Sequence, residues 1–222
     1  MSTEALSPLP LFSATSLPVS GVILAGGAAR RMGGRGEADC PVDKGLLPLA
    51  GQPLAWHVAA RLRPQVRELL VSANRHAAEY ARLGVPVVAD AVPDYAGPLA
   101  GLHAALGVAR EEWLVSAPCD VPGLPSDLVA RLHTACTAAG AQAAVVRTAG
   151  RLQPVFCLCH TSLRASLERF LASGERRVRL WLDQVGAVVV DFDTAVDAEA
   201  FRNINTPEDL AELEEELRNT QT

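Results

Sequence analysis

The sequence predicts an α/β fold in which a mostly parallel sheet carries helices on both faces. Short apolar segments alternate with helical patterns from Gly21 to Gly150, and several of those apolar segments end directly in glycine or polar residues. The chain has 222 residues, 49% of them hydrophobic and 20% charged. This size and composition suit one globular domain with a sizeable core and exclude a disordered chain.

Apolar segments rich in Val, Leu and Ile predict the strands. The first, from Gly21 to Ala25, contains β-branched residues and is followed by glycines. Strands are predicted over residues 21–25, 68–73, 86–89, 113–117 and 143–147, and two more over 155–159 and 187–190, where the alternation is less regular. Because helical patterns separate the early strands, these strands are expected to pair mostly in parallel.

Helical patterns fill the intervals between the strands. They cover residues 53–62, 76–83, 98–109, 125–139, 162–171 and 178–182. Pro53 stands at an early helical position, where the missing backbone N–H costs nothing. The last helix is expected to begin with Thr206 as its N-cap and Pro207 at its first position, and Glu208 and Asp209 then face the positive end of the helix.

Net charge and hydropathy exclude several classes of function. The formal net charge is −5, which argues against broad nucleic-acid binding because such binding needs a basic surface. No apolar run of about 18 residues is present, so no membrane span is expected. Residues 1–19 carry Glu4 and three prolines but no basic start, and we interpret them as a flexible tail rather than a secretory signal. A cytoplasmic protein is expected.

The spacing of cysteines and histidines does not indicate a metal site. The five cysteines form no C-x-x-C pair, and the five histidines show no ligand spacing. We interpret the cysteines as small buried hydrophobic residues of a reducing compartment. They are Cys40, Cys119, Cys136, Cys157 and Cys159.

A glycine-rich loop follows the first predicted strand, in the segment LAGGAARRMGG over residues 24–34. Successive backbone N–H groups at Gly26 and Gly27 can surround phosphate oxygens, and Arg30 and Arg31 can add charge-assisted hydrogen bonds. A simple tight turn is the alternative interpretation, and the two adjacent arginines favour phosphate binding. The loop is neither G-x-G-x-x-G nor a Walker loop, which disfavours a dinucleotide-binding fold.

Lys44 is the only lysine of the chain, beside nineteen arginines, and it follows the glycine loop in the segment DKGLL. An ammonium group is a compact charge that fits between phosphates where a planar guanidinium does not. Lys44 is therefore a candidate phosphate ligand, although a single lysine could also stand there by chance.

Polar side chains follow three further predicted strands. Asn74, Asp90 and Asp120 each stand at a strand end, and ligands of open α/β sheets bind beyond the carboxyl ends of the strands. Asp120 lies between two prolines and suits Mg²⁺, which takes one or two protein carboxylates together with substrate phosphates. The Gly- and Pro-rich segment 94–101 could hold a base. Helix caps and Asx-turns are the alternative roles for all three polar residues.

Taken together, these segments resemble the molybdenum cofactor guanylyltransferases. The resemblance implies a Rossmann-like, three-layer nucleotidyltransferase fold and the transfer of GMP from GTP to the terminal phosphate of molybdenum-bound molybdopterin, with release of pyrophosphate. It also implies one domain over residues 20–218, with a nucleotide-binding half (20–125) and an acceptor-binding half (126–218). The matching segments, in order, are LAGG with RRMGG, DKGLL, SANRH, VVADAVPDYAGPLAG, PCD, GERRV and NINTPEDL.

The resemblance also implies roles for individual residues. Those implied for GTP are Leu24, Ala25, Gly26, Gly27, Lys44, Asn74, Asp90 and Asp120, with Mg²⁺ as cofactor on Asp120. Those implied for the molybdopterin acceptor are Arg176, Arg177, Asn203 and Asn205. Lys44, Arg31 and Asp120 are the expected catalytic residues. Transient contacts with proteins that donate or accept the cofactor are expected. Residues 35–42 depart from the family pattern because they lengthen the segment before Lys44.

Several rival functions stay open from the sequence. The same fold could use CTP on the same cofactor, or act on a sugar phosphate or an alcohol phosphate. A non-catalytic carrier of the molybdenum cofactor is a rival of another class, and it would bind the pterin through the acceptor-side residues. An NAD-dependent oxidoreductase is disfavoured by the missing G-x-G-x-x-G motif.

Overall fold

A seven-stranded sheet forms the middle layer of the computed structural model, which describes residues 6–13, 16–25, 43–90 and 97–220. The strands, in chain order, are β1 (Val19–Leu24), β2 (Pro48–Leu49), β3 (Gln52–Pro53), β4 (Glu68–Ser72), β5 (Val87–Val88), β6 (Trp113–Pro118), β7 (Ala143–Thr148), β8 (Arg151–His160) and β9 (Val188–Asp191). The large sheet has the order β5-β4-β1-β6-β8-β7-β9, and only the two pairs that include β8 are antiparallel. The predicted mostly parallel sheet is confirmed.

Helices cover both faces of this sheet. They are α1 (Leu54–Leu62), α2 (Ala77–Ala81), α3 (Pro98–Val108), α4 (Leu128–Ala139), α5 (Arg164–Ala172), α6 (Val178–Gln184), α7 (Ala195–Ala200) and α8 (Pro207–Thr220). Side chains of α1, α2 and α4 join one buried apolar cluster, and side chains of α3, α5 and α6 join a second. Neighbouring strand residues point to opposite faces, so Ile23 belongs to the first cluster and Val22 to the second.

The main departure from the sequence prediction is the second half of the sheet. Strand β8 is longer than the predicted strand over 155–159 because it pairs with β7 through a tight turn at Ala149 and Gly150. Both turn residues have positive φ, at 48° and 71°, which matches the twist of a two-residue hairpin. The small β2–β3 pair and α7 are also elements that the hydrophobic pattern does not reveal, since each is very short.

The described part of the N-terminal segment, which was predicted to be a flexible tail, contacts the start of α1 and Gln52 in β3. The Trp56 indole N–H donates to the Ser7 carbonyl at 2.8 Å, and the Gln52 side chain exchanges hydrogen bonds with Ser7. The Arg63 guanidinium lies 4.4 Å from the centre of the Phe12 ring. Leucines of this segment pack against the first apolar cluster, which explains the attachment.

No helix within the described ranges combines the length and the apolar character needed to cross a bilayer.

Candidate functional site

A cavity of about 560 Å³ lies at the carboxyl edge of the parallel strands. It includes the exits of β1, β4, β5 and β6, as the sequence predicts for a ligand site of an open α/β sheet. The predicted site residues that line it are Leu24, Ala25, Lys44, Asn74, Asp90 and Asp120. Gly26, Gly27, Arg31 and the insertion 35–42 lie outside the described residues, as do residues 94–96 of the predicted base-holding segment 94–101.

Lys44 lines this cavity. Its Nζ donates to Asp120 Oδ2 and to Asn205 Oδ1, both at 2.7 Å. The Lys44 and Asp120 side chains are 14% and 16% exposed, so the ion pair is sheltered but still open to the cavity. Three segments far apart in the sequence therefore meet at one ammonium group.

The start of α8 positions Asn205. The Ile204 amide donates to the Asp120 carbonyl at 2.9 Å, and the Ile204 side chain is fully buried. Asp209 Oδ2 accepts from the amides of Asn205 and Thr206, both at 2.8 Å, and the Asp209 amide donates to Thr206 Oγ1. These N–H groups, that of Asn205 most, lower the pKa of Asp209. The expected cap at Thr206 is thus observed, and it anchors Asn205 beside Lys44.

Asn74 and Asp90 form a second polar pair across the cavity. Asn74 Nδ2 donates to Asp90 Oδ2 and the Asp90 amide donates to Asn74 Oδ1, each at 2.8 Å. The two exits of β4 and β5 are therefore joined by reciprocal hydrogen bonds. Both residues line the cavity, so their amide and carboxylate groups could form hydrogen bonds with a ligand from fixed relative positions.

Helix α3 packs closely against β1 and β4 beside the cavity. A Cβ atom added at Gly101 would lie 2.5 Å from Ser72 Oγ and 2.9 Å from Leu24 Cδ2. Only glycine lets the first turns of α3 approach β1 and β4 this closely. Gly97 and Pro98, which start this helix, line the cavity together with Ser72.

The arginines expected on the acceptor side do not line this cavity within the described structure. Arg177 donates from Nε to Glu175 Oε1 at 3.0 Å and from Nη2 to Glu175 Oε2 at 2.5 Å. Hydrogen bonding to Arg177 is the largest of the effects that lower the pKa of Glu175 to about 2. Arg176 Nη1 donates to the Leu171 carbonyl at 2.9 Å. Asn203 is exposed and also stands outside the lining, whereas its neighbour Asn205 contacts Lys44.

Helix α5 leads to these arginines from the edge of the sheet opposite to the cavity. It begins after the end of β8, and Arg164 at its start lies beside Gly107 near the end of α3.

Val155 lines the cavity at a position that the sequence analysis did not single out. The β7–β8 register jumps from Val145↔Cys157 to Val146↔Gln153, so β8 bulges opposite β7. Ser116 Oγ donates to the Val155 carbonyl at 2.6 Å and thereby pairs the bulged backbone. Pro154 is the sequence signal for this bulge, since proline is rarely found in the paired part of an inner strand.

Within the described residues, no group of three or more His, Cys, Asp or Glu side chains is placed to hold a metal ion. The four described cysteines are free and buried, which confirms their interpretation as small core residues, and Cys40 lies outside the described ranges. Burial, together with the nearby Asp120 carboxylate, raises the pKa of the Cys119 thiol, so this cavity residue is unsuited to act as a nucleophile.

Comparison with known proteins points to one family. Residues 21–188 match the family described as the MobA-like NTP transferase domain. A relative from Cupriavidus pinatubonensis, named molybdenum cofactor guanylyltransferase, is 48% identical over 197 residues, which are 86% of this chain and 94% of the relative. A relative of the same name from Bordetella pertussis is 45% identical over 200 residues, which are 88% of this chain and 96% of the relative.

Solved structures share the fold. The molybdopterin-guanine dinucleotide biosynthesis protein A from Archaeoglobus fulgidus superposes with a TM-score of 0.70 at 25% identity, over 90% of this chain and 99% of the other. A nucleotidyl transferase from Methanothermobacter thermautotroptrophicus gives a TM-score of 0.67 at 24% identity, over 91% and 98%, and shows the fold alone. The predicted nucleotidyltransferase fold is confirmed. The chain belongs to the MobA-like NTP transferase family and, within it, to the molybdenum cofactor guanylyltransferases.

Proposed function

We propose that the chain transfers GMP from GTP to the terminal phosphate of molybdenum-bound molybdopterin and releases pyrophosphate. The names of the close relatives support this activity. The single observation that carries the proposal is the cavity in which Lys44 and Asp120 stand together while Asn74 and Asp90 stand at neighbouring strand exits. Such a cavity offers a cation and a carboxylate for the triphosphate and separate polar groups for the nucleoside.

The reaction is an in-line attack of an acceptor phosphate oxygen on the α-phosphorus of GTP. Both reactants are anions, so positioning and charge neutralisation supply most of the rate. Lys44, Arg31 and the amides of Gly26 and Gly27 would stabilise the charge that builds on the α-phosphate and on the departing pyrophosphate. No protein base is required, because the acceptor phosphate is already ionised near neutral pH.

Asp120 is the residue proposed to hold Mg²⁺. Its carboxylate opens on the cavity, and a Mg²⁺ site of this kind needs only one or two protein carboxylates when triphosphate oxygens complete it. When bound, the ion would neutralise part of the triphosphate charge.

The nucleoside of GTP and the acceptor phosphate are assigned to different parts of the cavity. Asn74 and Asp90 suit the base or ribose of GTP, because together they offer donors and acceptors at a fixed spacing. Leu24 and Ala25 supply backbone contacts at the exit of β1. Asn205 borders the triphosphate side through Lys44, which supports a place for it where the acceptor phosphate enters.

The bulky acceptor is proposed to bind outside the lining of the cavity. Arg176, Arg177 and Asn203 are proposed to contact molybdopterin as it approaches the triphosphate side. Opening of the Arg177–Glu175 ion pair would free a guanidinium for the anionic pterin phosphate. Transfer of a labile cofactor in the cytoplasm would also involve transient contact with the proteins that donate and accept it.

Pyrophosphate release tests the proposed function. The protein is mixed with molybdenum-bound molybdopterin, Mg²⁺ and either GTP, CTP or ATP, and we expect pyrophosphate and dinucleotide only with GTP. Omitting Mg²⁺ should stop turnover. Product with CTP alone would identify a cytidylyltransferase, and cofactor binding without pyrophosphate from any nucleotide would identify a carrier. Either result contradicts the proposal.

A further inference from the structure

A buried tyrosine lies directly beneath the Lys44 segment. Tyr80 in α2 is 0% exposed, and its hydroxyl donates to Asp43 Oδ1 at 2.6 Å. Asp43 is itself 3% exposed, so its carboxylate depends on such partners to remain inside the protein. Burial is the main effect that raises the pKa of Tyr80 far above its ordinary value. The hydroxyl therefore keeps its proton and acts as a permanent donor to Asp43.

Asp43 in turn caps the short helical turn that carries Lys44. Residues Lys44–Leu46 form one turn of 3₁₀ helix, and Asp43 is its N-cap. Asp43 Oδ1 accepts from the Gly45 amide at 3.1 Å, and the Asp43 carbonyl accepts from the Leu46 amide at 3.1 Å. Because one carboxylate oxygen receives both the Tyr80 hydroxyl and the Gly45 amide, the orientation of this turn follows the position of Tyr80.

Close packing joins the same tyrosine to the Asp120 side of the site. A Cβ atom added at Gly45 would collide with the Tyr80 hydroxyl and would lie 3.1 Å from both Cβ and Sγ of Cys119. Cys119 directly precedes Asp120. Tyr80, Gly45 and Cys119 therefore touch in series, and this contact sets the separation between the backbone of Lys44 and that of Asp120.

Tyr80 also belongs to the segment that carries the nucleoside side of the cavity. Helix α2 follows Asn74 after a sharp turn at His76, whose φ is 55°. The Tyr80 amide donates to the His76 carbonyl at 3.0 Å. One short segment thus supplies Asn74 to the cavity and, from its other end, the hydroxyl that holds the Lys44 turn.

We infer that Tyr80 is a positioning residue for Lys44, acting through the Asp43 carboxylate and the Gly45 packing contact. The inference rests on the proposed role of Lys44 at the triphosphate. Tyr80 contacts no reacting atom; it fixes the direction from which the ammonium reaches the phosphates. Loss of its hydroxyl should therefore change the chemical reactivity of Lys44 and its contact with the phosphates while the protein remains folded.

Chemical labelling of Lys44 tests this inference without any nucleotide. Lys44 is the only lysine, so an amine-selective reagent reports on it alone once the N-terminal amine is resolved by mass spectrometry. One lost hydrogen bond corresponds to a factor of about 3 to 10 in a local equilibrium, and we expect Tyr80→Phe to raise the labelling rate by that factor. The matched control is Leu167→Val, buried in the other apolar cluster, which should label like the wild type.

Two variants of Asp43 provide the internal check. Asp43→Asn keeps an oxygen that can accept from both Tyr80 and Gly45, so it should label nearly as slowly as the wild type. Asp43→Ala removes that acceptor and should label at least as fast as Tyr80→Phe. If Tyr80→Phe and Asp43→Ala both label like the wild type in folded protein, Tyr80 does not position Lys44.

A double-mutant cycle on GTP binding gives the second readout. Tyr80→Phe should weaken GTP binding and lower kcat/KM by about tenfold to a hundredfold, most of it in kcat, because the ammonium is misdirected in the transition state. In the Lys44→Ala background the same change should have no further effect on GTP binding. Additive losses would show an effect of Tyr80 that does not pass through Lys44 and would overturn the inference.

The two tests separate this inference from the proposed function. If the wild type does not bind GTP, the proposed function fails, whereas the labelling experiment still decides whether Tyr80 positions Lys44. If the wild type binds GTP normally and only the labelling and cycle results are negative, the inference alone fails.

Discussion

Replacing Asp120 by asparagine separates the chemical role of this carboxylate from its structural role. Asparagine has nearly the same shape and keeps an oxygen that can accept from Lys44 Nζ. It removes the negative charge that the proposed Mg²⁺ site requires. The variant should therefore fold, bind the nucleotide poorly or unproductively, and lose turnover at any concentration of added Mg²⁺.

The size of the structural effect follows from the Lys44–Asp120 contact. At 2.7 Å, an effective dielectric constant of about 20 gives an attraction of roughly 6 kcal/mol before desolvation is subtracted. The side chains are 14% and 16% exposed and Asn205 still accepts from Lys44, so most of this attraction is offset. We expect a loss of about 1–3 kcal/mol in the free energy of unfolding, equivalent to a fall of roughly 3–9 °C in Tm for a chain of this size.

The catalytic effect should be larger than the structural one. Removing one electrostatic group from such a site lowers the rate by about 10²–10³, which is about 3–4 kcal/mol. Pyrophosphate release measures turnover, and thermal unfolding measures stability. Asp127→Asn is the control, because Asp127 follows the same strand but lies outside the Lys44 cavity. If Asp120→Asn retains turnover within about fivefold of the wild type, the reasoning on Asp120 is wrong, since it predicts a loss of at least about a hundredfold.

Two further predictions concern stability. Burial is the main effect that lowers the pKa of His57 and of His103. The unfolded chain therefore binds more protons than the folded chain below about pH 6.5, the ordinary pKa of histidine. The contribution of the two neutral histidines to stability should be complete above that pH and should be lost as the pH falls through their two lowered pKa values. Urea unfolding at a series of pH values checks this, and the slope should be shallower in the His57→Gln/His103→Gln variant; an equal slope would contradict the assignment. Ser116→Ala should cost about 1–3 kcal/mol in urea unfolding, because it leaves the carbonyl of Val155 in the β8 bulge without its partner, whereas Ser116→Thr keeps the hydroxyl and should cost less.

Much of the fold can be predicted from local sequence. The alternation of apolar strands and helical patterns places β1, β4, β6 and β7 within a residue or two of their observed bounds, because buried parallel strands are short and continuously apolar. The N-cap chemistry at Thr206 likewise predicts the start of α8. The antiparallel pairing of β8 was not predictable in this way, since an apolar run carries no information about strand direction.

The candidate site, like the fold, can be predicted from the sequence only in part. Lys44, Asn74, Asp90 and Asp120 could be selected because each follows a strand or a glycine-rich segment, and all four line one cavity. Their individual roles in binding and catalysis stay predictions. Tyr80 could not be selected, since a tyrosine on a short apolar helix is most simply a core residue, and the hydrogen bond that distinguishes it connects positions 37 residues apart.

Residue types and their order along the chain determine which chemical groups this protein can bring to a triphosphate: one ammonium, carboxylates at strand ends and a glycine-rich loop. Tertiary structure decides which of these groups meet. Asn205 reaches Lys44 across 161 positions of sequence, while Arg177 turns to its neighbour Glu175. Backbone pairing within the sheet aligns the ends of the strands, so residues that follow strands are brought to the same edge. The partner of a side chain in a turn depends instead on local geometry and on nearby charges, and the order of residues does not specify these.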